Sequence, residues 1–436
     1  MTASLIGFGV LLLLIFLRVP IAFAMAIVGA FGFAEMRGME ATLAMAGNVV
    51  YETGLSYTLS VVPLFIFMGN VLAMAGVSHG LFAVANRLAG RARGGLAIST
   101  VIACGGFSAV CGSSLATAAT MSKVAMPSMR RFGYADSLAA GSIAAGGTLG
   151  ILIPPSVILI IYGILTETDI GDLFIAGVIP GAVGLLFYIA AVAVAVRLNP
   201  KLAERQAERA ALSKTDLIGV ASVTLLFVVI MVGIYGGLFT PTEAAGIGAA
   251  VSLAIAAVLG GLSWAGLGRA MRESAQATAM IFAVIIGAEI FTNFINFAGL
   301  PGAMSQAVSA FELSPWMVMA AIVLIYLVLG CVLESLSMIL LTVPIFYPLI
   351  VQLDFSGTLL ADPNLALIWF GIVVVVATEI SLITPPIGLN VFVLSSVLPD
   401  VGLRTIFKGV LPFWIADIFR LILLLAVPGL SLWLVL

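Results

Sequence analysis

An apolar segment long enough to cross a bilayer is broken in its middle by Gly146-Gly147-Thr148-Leu149-Gly150-Ile151-Leu152-Ile153-Pro154-Pro155-Ser156. Three glycines loosen the helix, and two consecutive prolines remove two amide donors and clash with the preceding turn. In hydrocarbon, unpaired backbone is tolerated only where protein buries it or where it lines a polar cavity. The device recurs as Ser381-Leu382-Ile383-Thr384-Pro385-Pro386-Ile387-Gly388-Leu389-Asn390. Two interrupted spans at corresponding places in two halves point to a binding site near the middle of a membrane.

The rest of the 436 residues agrees with that setting: 62% are hydrophobic and 9% charged, against roughly a quarter charged in soluble domains. The expected fold is an all-α polytopic membrane protein in contact with the lipid bilayer. A net charge of −2 gives no reason to expect nucleic acid as a partner. Cys104, Cys111 and Cys331 all fall in apolar segments, so neither a disulfide framework nor a zinc site is expected. His79 follows a Gly-Val-Ser turn and is expected at a membrane surface. Residues 2–16 resemble the apolar core of a secretion signal, but the apolar pattern resumes directly after Arg18-Val19-Pro20.

An offset of about 221 residues relates the two halves: Pro20 falls on Pro241, Asn70 on Asn293, and Gly112-Ser113-Ser114-Leu115 on Leu333-Glu334-Ser335-Leu336. Pro154-Pro155 falls on Pro385-Pro386 at an offset of 231, because the second half carries a longer loop around 354–363. The order of matches indicates duplication. The expected organisation is a first repeat over 1–198, an amphipathic linker over 199–215 and a second repeat over 216–436. Each repeat has three spans, a re-entrant hairpin, an interrupted span and a last span. In the first these are 3–17, 20–34, 57–76, hairpin 95–128, 137–166 and 174–197. In the second they are 216–238, 241–262, 275–298, hairpin 315–350, 367–398 and 411–436. The run 197–216 alternates Lys201, Arg205, Arg209 and Lys214 with Glu204, Glu208 and Asp216, which reads as a solvated cytoplasmic helix.

Five crossings per repeat is odd, so the second repeat is expected to be inverted. Charge supports this: 16 of the 18 Lys and Arg fall on one side, with Arg37 and Arg420 as exceptions. Both termini are then outside. The two hairpin tips, Ser113-Ser114 and Glu334-Ser335, enter from opposite faces and point at the two breaks. Free carbonyls and hydroxyls there suit Na⁺, while half-helix N-termini suit an anion. The alternative is that small and hydroxyl residues merely allow close helix packing. Ionisable groups at membrane depth are Glu289, Glu334, Glu379 and Asp417. Asp417 and Arg420 stand three apart and read as a mutual pair. Glu243 after Thr240-Pro241-Thr242 reads either as a helix cap or as a functional group. Asn70 and Asn293 read equally as interhelical bonds or ion ligands. No P-loop, Gly-x-Ser-x-Gly or His-Glu-x-x-His pattern occurs, so no enzyme activity is expected and a gradient must drive any transport.

Gly112-Ser113-Ser114-Leu115-Ala116-Thr117 with Met126-Pro127, the segment from Gly147 to Ser156, Pro241-Thr242-Glu243-Ala244-Ala245 and Ile383 to Asn390 together resemble the large membrane subunit of TRAP (tripartite ATP-independent periplasmic) transporters. The resemblance covers nearly the whole chain. It implies sodium-coupled import of an organic anion, usually a carboxylate, by an elevator movement in the bacterial inner membrane. It also implies a separate small four-helix membrane subunit and a periplasmic substrate-binding protein. Carried onto this chain, one sodium site uses Ser113 and Ser114 with Gly146, Thr148 and Gly150. The other uses Glu334, Ser335 and Ser337 with Thr378, Thr384 and Pro385. Substrate lies between the tips, near Ser114, Ser156, Ser337 and Asn390. The rival readings are a stand-alone sodium–dicarboxylate symporter, whose tips carry Ser-Asn-Thr in place of Ser113-Ser114-Leu115 and Glu334-Ser335-Leu336, and a channel.

Overall fold

A computed structural model describes residues 2–203 and 212–436, and their regular structure is helical apart from one isolated bridge between Tyr134 and Ala203. The first elements are α1 (Thr2–Phe16), α2 (Ile21–Arg37), α3 (Met39–Leu55), α4 (Val61–Met74) and α5 (Val77–Ala89). Pro20 opens α2, and Gly38, at φ 88°, turns the chain into α3. A hairpin follows, α6 (Gly95–Cys111) and α7 (Ser114–Arg131), then α8 (Asp136–Thr148), a short 3-10 turn over Leu149–Ile151, α9 (Val157–Thr166) and the long α10 (Ile170–Leu198).

The second half begins with α11 (Lys214–Tyr235), α12 (Pro241–Val258), α13 (Trp264–Phe297) and α14 (Leu300–Ala310). The second hairpin is α15 (Pro315–Leu329) and α16 (Ser335–Gln352). Then come α17 (Pro363–Ser381), α18 (Leu389–Val397), α19 (Leu403–Ala426) and a final turn α20 (Gly429–Leu432). Among the described residues, seven helices are individually long and apolar enough to cross a membrane, or eight if the pair Met39–Leu55 and Thr58–Met74, bent by 56°, is one span. The apolar helices α1, α6, α9 and α15 are shorter than a crossing.

Two capping boxes set helix starts where the sequence is most polar. Ser213 and Asp216 exchange side-chain-to-backbone bonds at 3.0 Å each and open α11. Lys214 and Asp216 therefore belong to the first turn of a span, whereas Glu204, Arg205, Glu208 and Arg209 of the expected linker helix lie outside the described residues. Glu243 does the same for α12: its Oε2 accepts the Thr240 amide at 2.8 Å, and its own amide binds Thr240 Oγ1 at 3.3 Å. Capping accounts for Glu243.

Three helices lie outside the expected spans. α3, α5 and α14 are too short or too polar to register as crossings; α5 buries one face, α3 buries Thr42, Val49 and Thr53, and α14 buries Leu300. α13 starts at Trp264 rather than 275 because Arg269, Arg272 and Glu273 interrupt the apolar pattern without interrupting the helix. Its 34 residues reach about 51 Å at 1.5 Å per residue, beyond a hydrocarbon layer of about 30 Å. α13 lies along α2, α3 and α4 and holds α4 through Asn70 Nδ2, which donates to Ser274 Oγ at 2.9 Å. Asn70 is thus an interhelical bond. Asn293 instead donates to the Glu289 carbonyl one turn back.

The interior forms two large apolar clusters. One joins α5, α6, α7, α8, α10, α18 and α19, and the other joins α9, α13, α15, α16 and α17 with the early helices. α17 is the most enclosed apolar span, with 89% of its window buried. Among the described residues it therefore runs through the interior.

Candidate functional site

Each hairpin tip lies against the break of its own half. Cys111 ends α6, Gly112 takes φ 60°, and extended Ser113 caps α7 by accepting the Ala116 amide at 3.4 Å. The first break meets this tip at three points: Cβ atoms placed on Gly112, Gly150 and Gly147 would lie 3.2 Å from Pro155 O, 3.3 Å from Ser113 O and 3.0 Å from Ser114 O. A side chain at any of the three would have to push main chain aside by a few tenths of an ångström. At the second tip, Gly330 sits against Ser381, and Cys331 Sγ donates to Pro385 O at 3.6 Å. Both Pro-Pro bonds are cis.

Between the tips is one cavity of about 270 Å³. Its walls take Gly112, Ser113 and Ser114 from the first tip, Glu334 and Ser335 from the second, Ile151 and Val157 from the first break, and Leu382 and Leu389 from the second. α4 and α13 close it with Asn70, Glu273 and Met280. A second cavity of about 320 Å³ shares Asn70, Cys111, Ala116 and Glu273 with the first and adds Thr120 and Arg269.

The arrangement of helix ends in that wall has a chemical consequence. Ser114, Ser335, Val157 and Leu389 are the first residues of α7, α16, α9 and α18, so four N-termini converge on one cavity. Cys111, Ile151 and Leu382 are the last or capping residues of α6, the 3-10 turn and α17, so three C-terminal ends converge there too. N-termini present amide donors and partial positive charge; C-termini present carbonyl oxygens and partial negative charge. The cavity can therefore hold an anion and hard cations side by side.

Of the residues expected to contact substrate or sodium, Ser113, Ser114, Glu334 and Ser335 line this cavity. Gly150 and Pro385 are backbone neighbours of the tips. Gly146 packs against α6, with its missing Cβ 2.8 Å from Cys104. The other side chains have hydrogen-bond partners within the protein. Ser337 Oγ donates to Glu334 Oε1 at 3.2 Å. Thr378 Oγ1 donates to Val374 O, and Thr384 Oγ1 donates to Ile380 O while accepting Trp414 Nε1 at 2.9 Å. Ser156 donates to Ile151 O and caps α9, and Asn390 donates to Ala144 O at 3.0 Å. Ser156 and Asn390 are fully buried and stay out of the cavity wall, where Glu273 and Met280 stand instead. Nothing in the sequence singled out Glu273, which sits among charges that read as a helix end at the membrane surface.

A buried polar network lies behind the breaks. Thr148 Oγ1 is 2.9 Å from Tyr188 OH, and Tyr188 OH donates to Asp417 Oδ2 at 2.5 Å. Asp417 Oδ1 lies 3.0 Å from Arg420 Nη2, which also donates to Glu379 Oε2. All five side chains are fully buried. The pairing of Asp417 with Arg420 holds, and Glu379 joins it. Arg420 is thus no exception among surface charges, because it never reaches a surface.

The family model described as the DctM component of the tripartite ATP-independent periplasmic transporter matches residues 8–430. The chain is 36% identical over 389 residues to the C4-dicarboxylate TRAP transporter large permease protein DctM of Pseudomonas aeruginosa, across 88% of this chain and 87% of that protein. It is 30% identical over 437 residues to the isethionate TRAP transporter permease protein DctMQ of Oleidesulfovibrio alaskensis, across 98% of this chain and 65% of that longer protein. Among solved structures, MtrF of Neisseria gonorrhoeae superposes with a TM-score of 0.59 at 13% identity, over 89% of this chain and 84% of that one. That likeness concerns the fold.

Proposed function

The chain belongs to the DctM component family of tripartite ATP-independent periplasmic transporters, and on that footing we propose that it imports an organic anion, a carboxylate in the first instance, by sodium-coupled secondary transport across the bacterial inner membrane. The observation that carries this reading is the convergence of four helix N-termini and three C-terminal ends on the cavity between the tips. The anion's charged group is held by the N-termini of α7, α9, α16 and α18, and sodium by carbonyl oxygens at the tips and breaks. The lining holds Glu273 and Glu334 but no Lys or Arg. Sodium bound beside the anion supplies the countercharge that the side chains do not.

In this proposal the hairpins and interrupted helices of two inverted repeats form the moving body of an elevator, and α2, α4, α12 and α13 belong to the fixed scaffold. Both termini face the periplasm. A small four-helix membrane subunit completes the scaffold, and a periplasmic binding protein delivers the substrate. Relatives named for C4-dicarboxylate and isethionate transport handle small organic anions, which suits the cavity's chemistry and leaves the particular substrate to the binding protein.

The test is uptake into proteoliposomes containing this chain with its small subunit. Uptake should require both the binding protein and an inward sodium gradient. Equal uptake by this chain alone would favour a stand-alone symporter, and flux that persists with both hairpins cross-linked to α13 would favour a channel.

A further inference from the structure

The two breaks are joined from behind. Thr148 and Glu379 each stand six residues before the first proline of their Pro-Pro pair, so the repeat makes them equivalent positions. Thr148 ends α8 and Glu379 lies in the last turn of α17. Each reaches α19 through the buried network: Thr148 through Tyr188 and Asp417, Glu379 through Arg420. Gly184 of α10 makes room for the guanidinium, since a Cβ there would overlap Arg420 Nη1.

Burial gives this chain of contacts its stiffness. Arg420 is always charged, and its Nη2 faces both Glu379 of α17 and Asp417 of its own helix α19, so one group ties the two helices together. Water, which would loosen such a link at a surface, has no access to side chains of zero exposure. Arg420 Nε and Nη1 and Glu379 Oε1 have no hydrogen-bond partner. Unpaired groups make the cluster a weak stabilising device, since apolar residues of similar volume often replace a buried ion pair without loss, so its geometry is the feature to explain.

We propose that Arg420 is a positioning residue that couples the two interrupted helices, so that the backbone geometry at one break depends on the state of the other. The groups on the neighbouring elements that take part are Asp417 on α19 and Tyr188 on α10. Tyr162 of α9 donates to Leu367 O, and Tyr326 of α15 accepts from Thr342, so both hydroxyls are engaged outside the network. The coupling itself rests on geometry alone. Its consequence for sodium binding rests on the function proposed above.

Hydrogen–deuterium exchange in KCl tests the coupling without sodium. Tyr188→Phe cuts the arm to Thr148 and leaves Arg420 with Glu379. Glu379→Leu, which removes the acceptor for Arg420 Nη2, cuts the other arm. Each variant should speed exchange of the amides at both breaks, 149–153 and 380–384. Faster exchange confined to the break nearest each substitution would overturn the proposal.

A neutral variant, Glu379→Gln with Asp417→Asn and Arg420→Met, serves where the single changes fail to fold. The proposal expects the sodium concentration for half-maximal thermal stabilisation to rise about tenfold in it, the scale of one charge-assisted hydrogen bond. If wild type responds to sodium and the neutral variant responds identically, the network is structural only. A wild type that ignores sodium refutes sodium coupling, and the exchange experiment still decides on Arg420.

Discussion

Gly141 of α8 and Gly409 of α19 meet backbone against backbone: a Cβ on Gly141 would lie 2.8 Å from Gly409 Cα and overlap the Gly409 carbonyl. The reverse holds as well, with a Cβ on Gly409 running into the Ser137 carbonyl. This contact seats the first interrupted helix on the last long span and brings Thr148 within reach of the network that includes Asp417. Main chain cannot yield as a flexible side chain can. Gly409→Ala should therefore destabilise by about 1–3 kcal/mol as an overpacking change. Gly246→Ala in α12, where nothing lies within 4 Å of the added methyl, should be neutral or stabilising by up to about 1 kcal/mol. Thermal unfolding of the two purified variants checks the pair, and equal effects would contradict the packing described.

Removing Arg420 alone should be much worse than removing its whole cluster. Arg420→Met leaves Glu379 and Asp417 as two buried carboxylates without a countercharge, a change expected to cost about 3–5 kcal/mol. Neutralising all three should recover most of that loss. The comparison is made on expression level and unfolding midpoint together.

At the membrane surface, Arg130 lies 2.8 Å from Asp136 and 2.6 Å from Asp400, tying the end of the first hairpin to the loop before α19. The guanidinium beside Asp400 holds that carboxyl below the usual carboxylate range. A lowered folded-state value means that the contribution is present above the ordinary carboxylate pKa and is lost as pH falls through the lowered one. Between about pH 6 and about pH 2, Asp400→Asn should lose less of its unfolding midpoint than wild type does. The difference should be small, as for other exposed pairs, and should shrink further in high salt.

The sequence carried the breaks and tips plainly, because Pro154-Pro155, Pro385-Pro386 and the Gly112 turn act through local backbone chemistry that any chain obeys. It did not carry what meets them. Tyr188 and Asp417 are 229 residues apart, and neither is unusual in its own helix. Hydroxyls were legible as ligands or as packing, but their engagement was not. The cap made by Ser156 on α9 had a local signal, a serine directly before the apolar run Val157-Ile158-Leu159; the bond from Asn390 to Ala144 across two repeats had none. α5 was invisible for another reason, since a helix half-buried in protein needs no unbroken apolar run. Glu273 was hidden by the same argument that assigned a positive side: charge near Arg269 and Arg272 reads as solvent, whereas α13 brings it to the cavity wall.

If the N-terminus of α7 holds the anion, a carboxylate added there, to a lining that already carries Glu273 and Glu334, should weaken its binding. Ser114→Asp places one at the start of α7, where the helix itself tolerates or gains from negative charge by about 0.3–1 kcal/mol. Uptake should fall by about tenfold or more, the scale of one misplaced charge contact, with the unfolding midpoint retained. Normal uptake in that variant would move the substrate elsewhere.

The central claim is that sodium binds where the first tip meets the first break, and it can be tested before any substrate is known. The measurement is the thermal unfolding midpoint of the purified protein in NaCl against KCl at equal ionic strength, for wild type and Ser113→Ala. A ligand at a hundred times its Kd stabilises the folded state by about 2.7 kcal/mol. The account predicts a saturable, sodium-specific rise in wild type that is weakened in Ser113→Ala. Equal midpoints in the two salts, or a rise that Ser113→Ala leaves untouched, would contradict it.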